Sequence, residues 1–185
     1  TELIEYYKGI FTILSSCASR QLEEVTFRRT VIPVQELLDA AGKYFKKSMK
    51  NRSERIELEI EPMEAKVIGD VNQLRFLLEN LIDEALTVRE DGLIRLQARQ
   101  DNEYIRFLFT DTRREKSVEE LNQLFYPNLA RMTSGEKGEL RGTEYLICKQ
   151  IIRDHDEFAG RRGCRINAEP AEGGGFTVYF TIPRR

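Results

Sequence analysis

Three short stretches of this chain carry residues whose types and spacing could do chemistry. Leu140-Arg141-Gly142-Thr143-Glu144-Tyr145 opens an amphipathic helix, and a helix N-terminus binds phosphate when its amides are bare and the backbone can be approached. Gly142 would permit that approach, while Glu144 and Tyr145 place a negative charge and a large ring where it would occur. Asn80 and Glu84 lie one helical turn apart and so share a face. The Glu84 carboxylate could ligate Mg²⁺, a hard cation that favours oxygen, or simply face solvent. Asp111 ends an apolar strand and is followed by Arg113, Arg114 and Glu115. Two arginines can hold an anion by side-chain charge, and Asp111 reads equally well as a strand-end turn residue.

Other chemistries are poorly supplied. His155 is the single histidine, so no Ser/His/Asp or Cys/His constellation can be assembled. Cys17, Cys148 and Cys164 are odd in number, widely spaced and without metal-ligand spacing, which fits reduced thiols better than disulfides or zinc. The formal charge of −2 gives no nucleic-acid footprint. Lys43 to Arg52 is a basic cluster, read as the solvated end of a helix, with an anionic-lipid or phosphate patch as its alternative. No apolar run approaches about 18 residues, so a membrane could be involved only through parts outside this sequence.

The elements that must position these residues follow from periodicity. Residues 2–22 read as one helix with a broad apolar stripe and a heptad component, suited to packing on its own domain or to pairing in a bundle or dimer. Its start at Thr1-Glu2-Leu3, in mid-helix and without methionine, suggests a piece of a longer protein. Residues 24–31 alternate as a strand, with Val25, Phe27, Arg29 and Val31 on one side. Pro33 suits the first turn of a helix through Leu37, Leu38, Ala41 and Phe45. Residues 55–60 form a half-buried strand, with 65–68 as its short partner. Asp70 is the expected N-cap of a helix burying Leu74, Leu77, Leu78, Leu81, Ile82 and Ala85. Strands at 93–98 and 104–109 meet in a hairpin at Asp101-Asn102. Residues 128–142 read as a long loop, and 143–156 as a helix with Leu146, Ile147, Ile151 and Ile152 inward. A last hairpin pairs 164–169 with 176–182. The sum is an α+β sandwich, with an antiparallel or mixed sheet covered on one face by helices.

The order of these elements, with their side chains, resembles the ATP-binding domain of sensor histidine kinases, in the wider family shared with DNA gyrase, a heat-shock chaperone ATPase and the mismatch-repair protein MutL. The resemblance covers residues 26–185. Residues 70–85 resemble the asparagine-box helix, and Phe107 to Thr112 the strand that ends in the adenine-binding aspartate. Leu124-Phe125-Tyr126-Pro127 resembles the phenylalanine box, Ile147 to His155 the helix behind the glycine loop, and Gly175 to Pro183 the closing strand. The resemblance implies an ATP and magnesium site drawing on Asn80, Glu84, Asp111, Phe125, Gly142 and Lys149, with Asn80 and Glu84 nearest the metal. It also implies a response regulator as partner and a cytoplasmic location. Residues 1–23 would be the second helix of a dimerisation and phosphotransfer hairpin, making a homodimer, and residues 24–185 the ATP-binding domain.

The pattern departs from the family at three places. Glu84 stands where a second asparagine belongs, Arg113 to Glu115 replace a Gly-x-Gly, and Leu140, Gly142 and Glu144 occupy the glycine positions of the phosphate loop. These departures imply impaired or lost ATP binding, as in a pseudokinase. The alternatives are an active kinase that phosphorylates an upstream histidine, and an ATP-independent phosphotransferase scaffold. His155 falls on a structural histidine, outside phosphotransfer. A working nucleotide site should be open to Asp111, and a lost one filled by Tyr145 or Arg113.

Overall fold

The computed structural model describes Ile4, residues 27–127 and residues 143–185. The helix expected over 2–22 and the loop expected over 128–142 lie outside the described residues, apart from Ile4. Eleven elements follow in order: β1 (Thr30–Pro33), α1 (Val34–Met49), β2 (Ile56–Ile60), β3 (Lys66–Gly69), α2 (Val71–Ala85), β4 (Gly92–Asp101), β5 (Tyr104–Asp111), α3 (Val118–Gln123), α4 (Glu144–Phe158), β6 (Ile166–Pro170) and β7 (Phe176–Pro183).

Five strands form one mixed sheet in the order β2-β4-β5-β7-β6, parallel only between β2 and β4. Alternation along β4 and β5 sends Ile94, Leu96, Ala98, Ile105, Phe107 and Phe109 to the helical side. Phe107 stacks on Phe180 across the β5–β7 pair, with centroids 4.9 Å apart. The opposite face keeps polar partners, including Arg106 over the Tyr179 ring and a Thr110–Thr177 hydroxyl bond of 2.7 Å. Helix α2 packs between α1 and α4. This is the α+β sandwich that the periodicity implied.

Several expectations need correcting. Strand β1 begins at Thr30, later than expected, and it is Ile32 that is buried while Val31 is exposed. Pro33 ends that strand and serves as the N-cap position, so α1 starts at Val34. Strand β3 pairs antiparallel with β1 in a separate two-stranded sheet, whereas β2 joins the main sheet. Pairing is decided by where α1 and α2 carry the chain, which a local pattern does not encode. Helix α4 runs to Phe158 and is rotated from the expected face: Tyr145 and Cys148 are buried, while Leu146 and Ile147 are half-buried. Helix α3 was not foreseen, although Ser117 and Glu120 form a reciprocal capping box, a sequence-level start signal.

Candidate nucleotide site

Both ends of α2 are sealed by buried side chains. At the start, the Asp70 carboxylate accepts from the backbone N–H groups of Asn72, Gln73 and Arg28. The Asp70 N–H donates to His155 Nε2 at 3.0 Å, which fixes the ring proton on Nδ1, 2.8 Å from the Ile151 carbonyl. His155 is fully buried, consistent with the structural role expected of it. A carboxylate at the N-terminus also suits the helix dipole.

The other end of α2 is closed by Arg113. Its guanidinium has five N–H donors, and every one is used. Nε donates to Asp111 Oδ1 and Nη2 to Asp111 Oδ2, both at 3.0 Å. The remaining three go to the carbonyls of Ala85 (2.6 Å), Val88 (2.9 Å) and Glu90 (2.9 Å). The side chain is 1% exposed. A cation at the helix C-terminus satisfies carbonyls that have no intrahelical donor and matches the dipole.

Asp111 is correspondingly occupied. Besides the Arg113 fork, Oδ1 accepts the Arg113 backbone N–H at 3.0 Å, and Arg114 Nε lies 3.4 Å from Oδ2. Two glycines make this arrangement possible. Gly92 has φ +148°, and a Cβ there would sit 2.5 Å from Arg113 Cγ; Gly175, at φ +85°, brings the β6–β7 turn against the Asp111 carbonyl. The sequence marks Gly92 as part of a turn and Gly175 as the start of the closing strand, but their contacts with Arg113 and Asp111 depend on distant parts of the chain.

The other expected site residues surround this pair. Asn80 is buried on α2, and its amide nitrogen donates to the Phe76 carbonyl at 2.7 Å. Glu84 is half-buried one turn further on. Phe125 is buried and meets the Tyr145 ring edge to face, 5.8 Å between centroids. Burial, reinforced by the Glu84 charge, pushes the Tyr145 hydroxyl pKa well up. Tyr145 thus occupies the interior beside Phe125, within electrostatic reach of Glu84, Arg114 and Asp111. Lys149 Nζ sits 4.4 Å from the Tyr126 ring centroid, and burial, then Arg153, lowers its pKa. Gly142 lies outside the described residues.

Arg114 and Glu144 were not foreseen as unsatisfied groups. Arg114 Nε and Nη2 and Glu144 Oε2 are buried atoms without a hydrogen-bond partner. The Arg114 guanidinium lies 5.7 Å from the Phe176 ring centroid, and Lys116 Nζ 5.5 Å from the same ring. Among the described residues no cluster of three or more His, Cys, Asp or Glu could hold a metal ion. The fit to an adenine-bearing ligand is poor at Asp111, since an incoming amino group would meet a carboxylate already engaged by two arginines.

A five-stranded mixed sheet backed by α1, α2 and α4, with a buried aspartate at the end of its central strand, defines an ATPase-type sandwich. The family profile of histidine kinase-, DNA gyrase B- and HSP90-like ATPases matches residues 69–185, and the chain belongs to that family. Solved structures share the fold at low identity. A mycobacterial sensor histidine kinase, MprB, is 19% identical with a TM-score of 0.66, over 85% of this chain and 99% of that one. The Acinetobacter baumannii histidine kinase AdeS is 14% identical with a TM-score of 0.61, over 94% and 74%. Histidine kinase ThkA, solved in complex with the response regulator TrrA, is 19% identical with a TM-score of 0.65, over 100% and 51%. Comparison with curated protein sequences gives no match. Among the described residues no helix is long and apolar enough to cross a membrane.

Proposed function

We propose that this chain is the C-terminal region of a two-component sensor histidine kinase whose nucleotide site is closed by its own Arg113, so that Mg·ATP binds weakly or not at all. Residues 24–185 then serve as a signalling module of the ATP-binding fold, and residues 1–23 as the second helix of a dimerising hairpin in the cytoplasm. The partner is a response regulator, as the ThkA–TrrA complex suggests by analogy.

One observation carries this reading: all five donors of a buried Arg113 are satisfied by Asp111 and the end of α2. Admitting adenine at Asp111 means breaking a buried ion pair, which costs about 3–5 kcal/mol. A penalty near 4 kcal/mol turns a micromolar site into a millimolar one. Asn80 and Glu84 would still offer oxygens to magnesium, but without the base to anchor it the triphosphate meets the Glu84 charge.

The test is a thermal shift with millimolar Mg·ATP, using Mg·tripolyphosphate as the control that lacks the base. ATP should raise Tm no further than tripolyphosphate does. A ligand at 100 times its Kd adds roughly 2.7 kcal/mol, so an ATP-specific rise of several degrees restores the active-kinase reading. ATP-free transfer of phosphate to the regulator by the longer chain would favour the phosphotransferase scaffold.

A further inference from the structure

Four Arg-Arg pairs occur in the sequence, at 28–29, 113–114, 161–162 and 184–185. One pair closes the Asp111 site. The other three, far apart in the chain, converge on one depression of about 400 Å³ that shares no lining residue with it. Arg29, Arg161 and Arg184 line this depression, over a floor that includes Val31, Ile68 and Pro183.

The arginines are held in place by the fold. Arg184 donates its backbone N–H to the Glu103 carbonyl at 2.9 Å and bridges to Val67, and the Arg185 N–H reaches the Lys66 carbonyl at 3.0 Å. Glu103 Oε2 holds Arg161 Nη1 at 2.7 Å. Gly160, at φ +94°, lets the Arg29 guanidinium lie over the loop after α4; a Cβ there would be 2.7 Å from Arg29 Nη1. Among the described residues, Arg29 and Arg184 make no ion pair, so Glu103 is the one carboxylate paired to a lining arginine.

Three arginines lining one concavity, with a single carboxylate paired to them, give it a positive field that favours an anion. Arginine forks match phosphate oxygens in bidentate geometry. The volume falls within the usual range of small-molecule sites, about 300–1,000 Å³. Convergence on one concavity, in a chain of net charge −2, favours a small ligand over a nucleic acid.

We propose that this depression binds a small soluble polyphosphate or multiply phosphorylated compound, held by Arg29, Arg161 and Arg184. The site is independent of the state of the Asp111 pocket. Calorimetric titration of sodium tripolyphosphate into the full chain at low salt tests it. One equivalent should bind, more weakly as NaCl is added. Arg29→Gln should weaken binding about tenfold or more, and Arg184→Gln similarly, with Tm of both variants near that of the parent. Lys43→Gln should change nothing. Failure to bind, equal binding by the Arg29→Gln/Arg184→Gln double variant, or loss on Arg114→Gln instead would each overturn the proposal. Sedimentation with phosphatidic acid vesicles, without a response to tripolyphosphate, would also overturn it in favour of a lipid surface.

Discussion

The two ends of α2 solve the same problem with opposite charges. At the N-terminus, a carboxylate and a neutral imidazole satisfy free N–H groups; at the C-terminus, a guanidinium donates to the carbonyls of the last helical residue and of the turn that follows it. The first closure is a helix cap joined to a core histidine. The second uses the carboxylate that the family resemblance assigns to adenine. On the proposed reading, stability at that end of α2 is gained at the point where a base would bind.

The comparison can be broken most severely at Arg113. Arg113→Ala takes the guanidinium fork from the buried Asp111 carboxylate and a donor from three carbonyls, and should cost about 3–5 kcal/mol in urea unfolding. If the pair acts as a unit, Arg113→Leu combined with Asp111→Leu should recover much of that loss, because replacing both members of a buried ion pair is often neutral. Equal losses in the single and double variants would contradict the assignment.

At the other end, His155→Ala leaves the Asp70 N–H unsatisfied and opens a void beside Phe27, whose ring centroid is 5.1 Å from that of His155. A loss of about 2–4 kcal/mol is expected, measured the same way. It should leave tripolyphosphate binding intact. Gly92→Ala acts on the Arg113 end indirectly, by strain and by contact with the arginine stem, and should cost about 1–3 kcal/mol. Arg99→Ala removes an exposed ion pair to Glu61 and a long hydrogen bond to the Ala98 carbonyl, and should leave the urea midpoint unchanged. Removing residues 1–22 should abolish dimerisation in size-exclusion chromatography; an unchanged elution state would remove the pairing helix from the account.

Much of the framework was legible because it is written in local periodicity. The buried face of α2, the Asp70 cap and the β4–β5 hairpin at Asn102, with its φ of 54°, are each set by residues within a turn or two of each other. The partner of β3 and the rotation of α4 were not, since both depend on how separate elements meet. Of the candidate site, Asn80, Glu84, Asp111 and Phe125 could be proposed from the resemblance, with Tyr145 or Arg113 as fillers, but not the way Arg113 is used. An arginine two residues beyond a strand-end aspartate could as well point outward. Only the arrival of the carbonyls of Ala85, Val88 and Glu90 turns it inward and fills all its donors. One arginine from each of the three remaining pairs reaches a common depression only through the fold, because the pairs are far apart in the sequence.

The central claim is that Arg113 stays on Asp111 whether or not nucleotide is present. The most direct measurement is the Arg113 Nε–H signal in a ¹H–¹⁵N spectrum of the full chain, assigned by its loss in Arg113→Lys. The account expects a resolved signal, protected from solvent exchange and unmoved by millimolar Mg·ATP. A signal that exchanges rapidly, or that shifts and loses protection as Mg·ATP is added, would show the arginine yielding its place and would contradict the account.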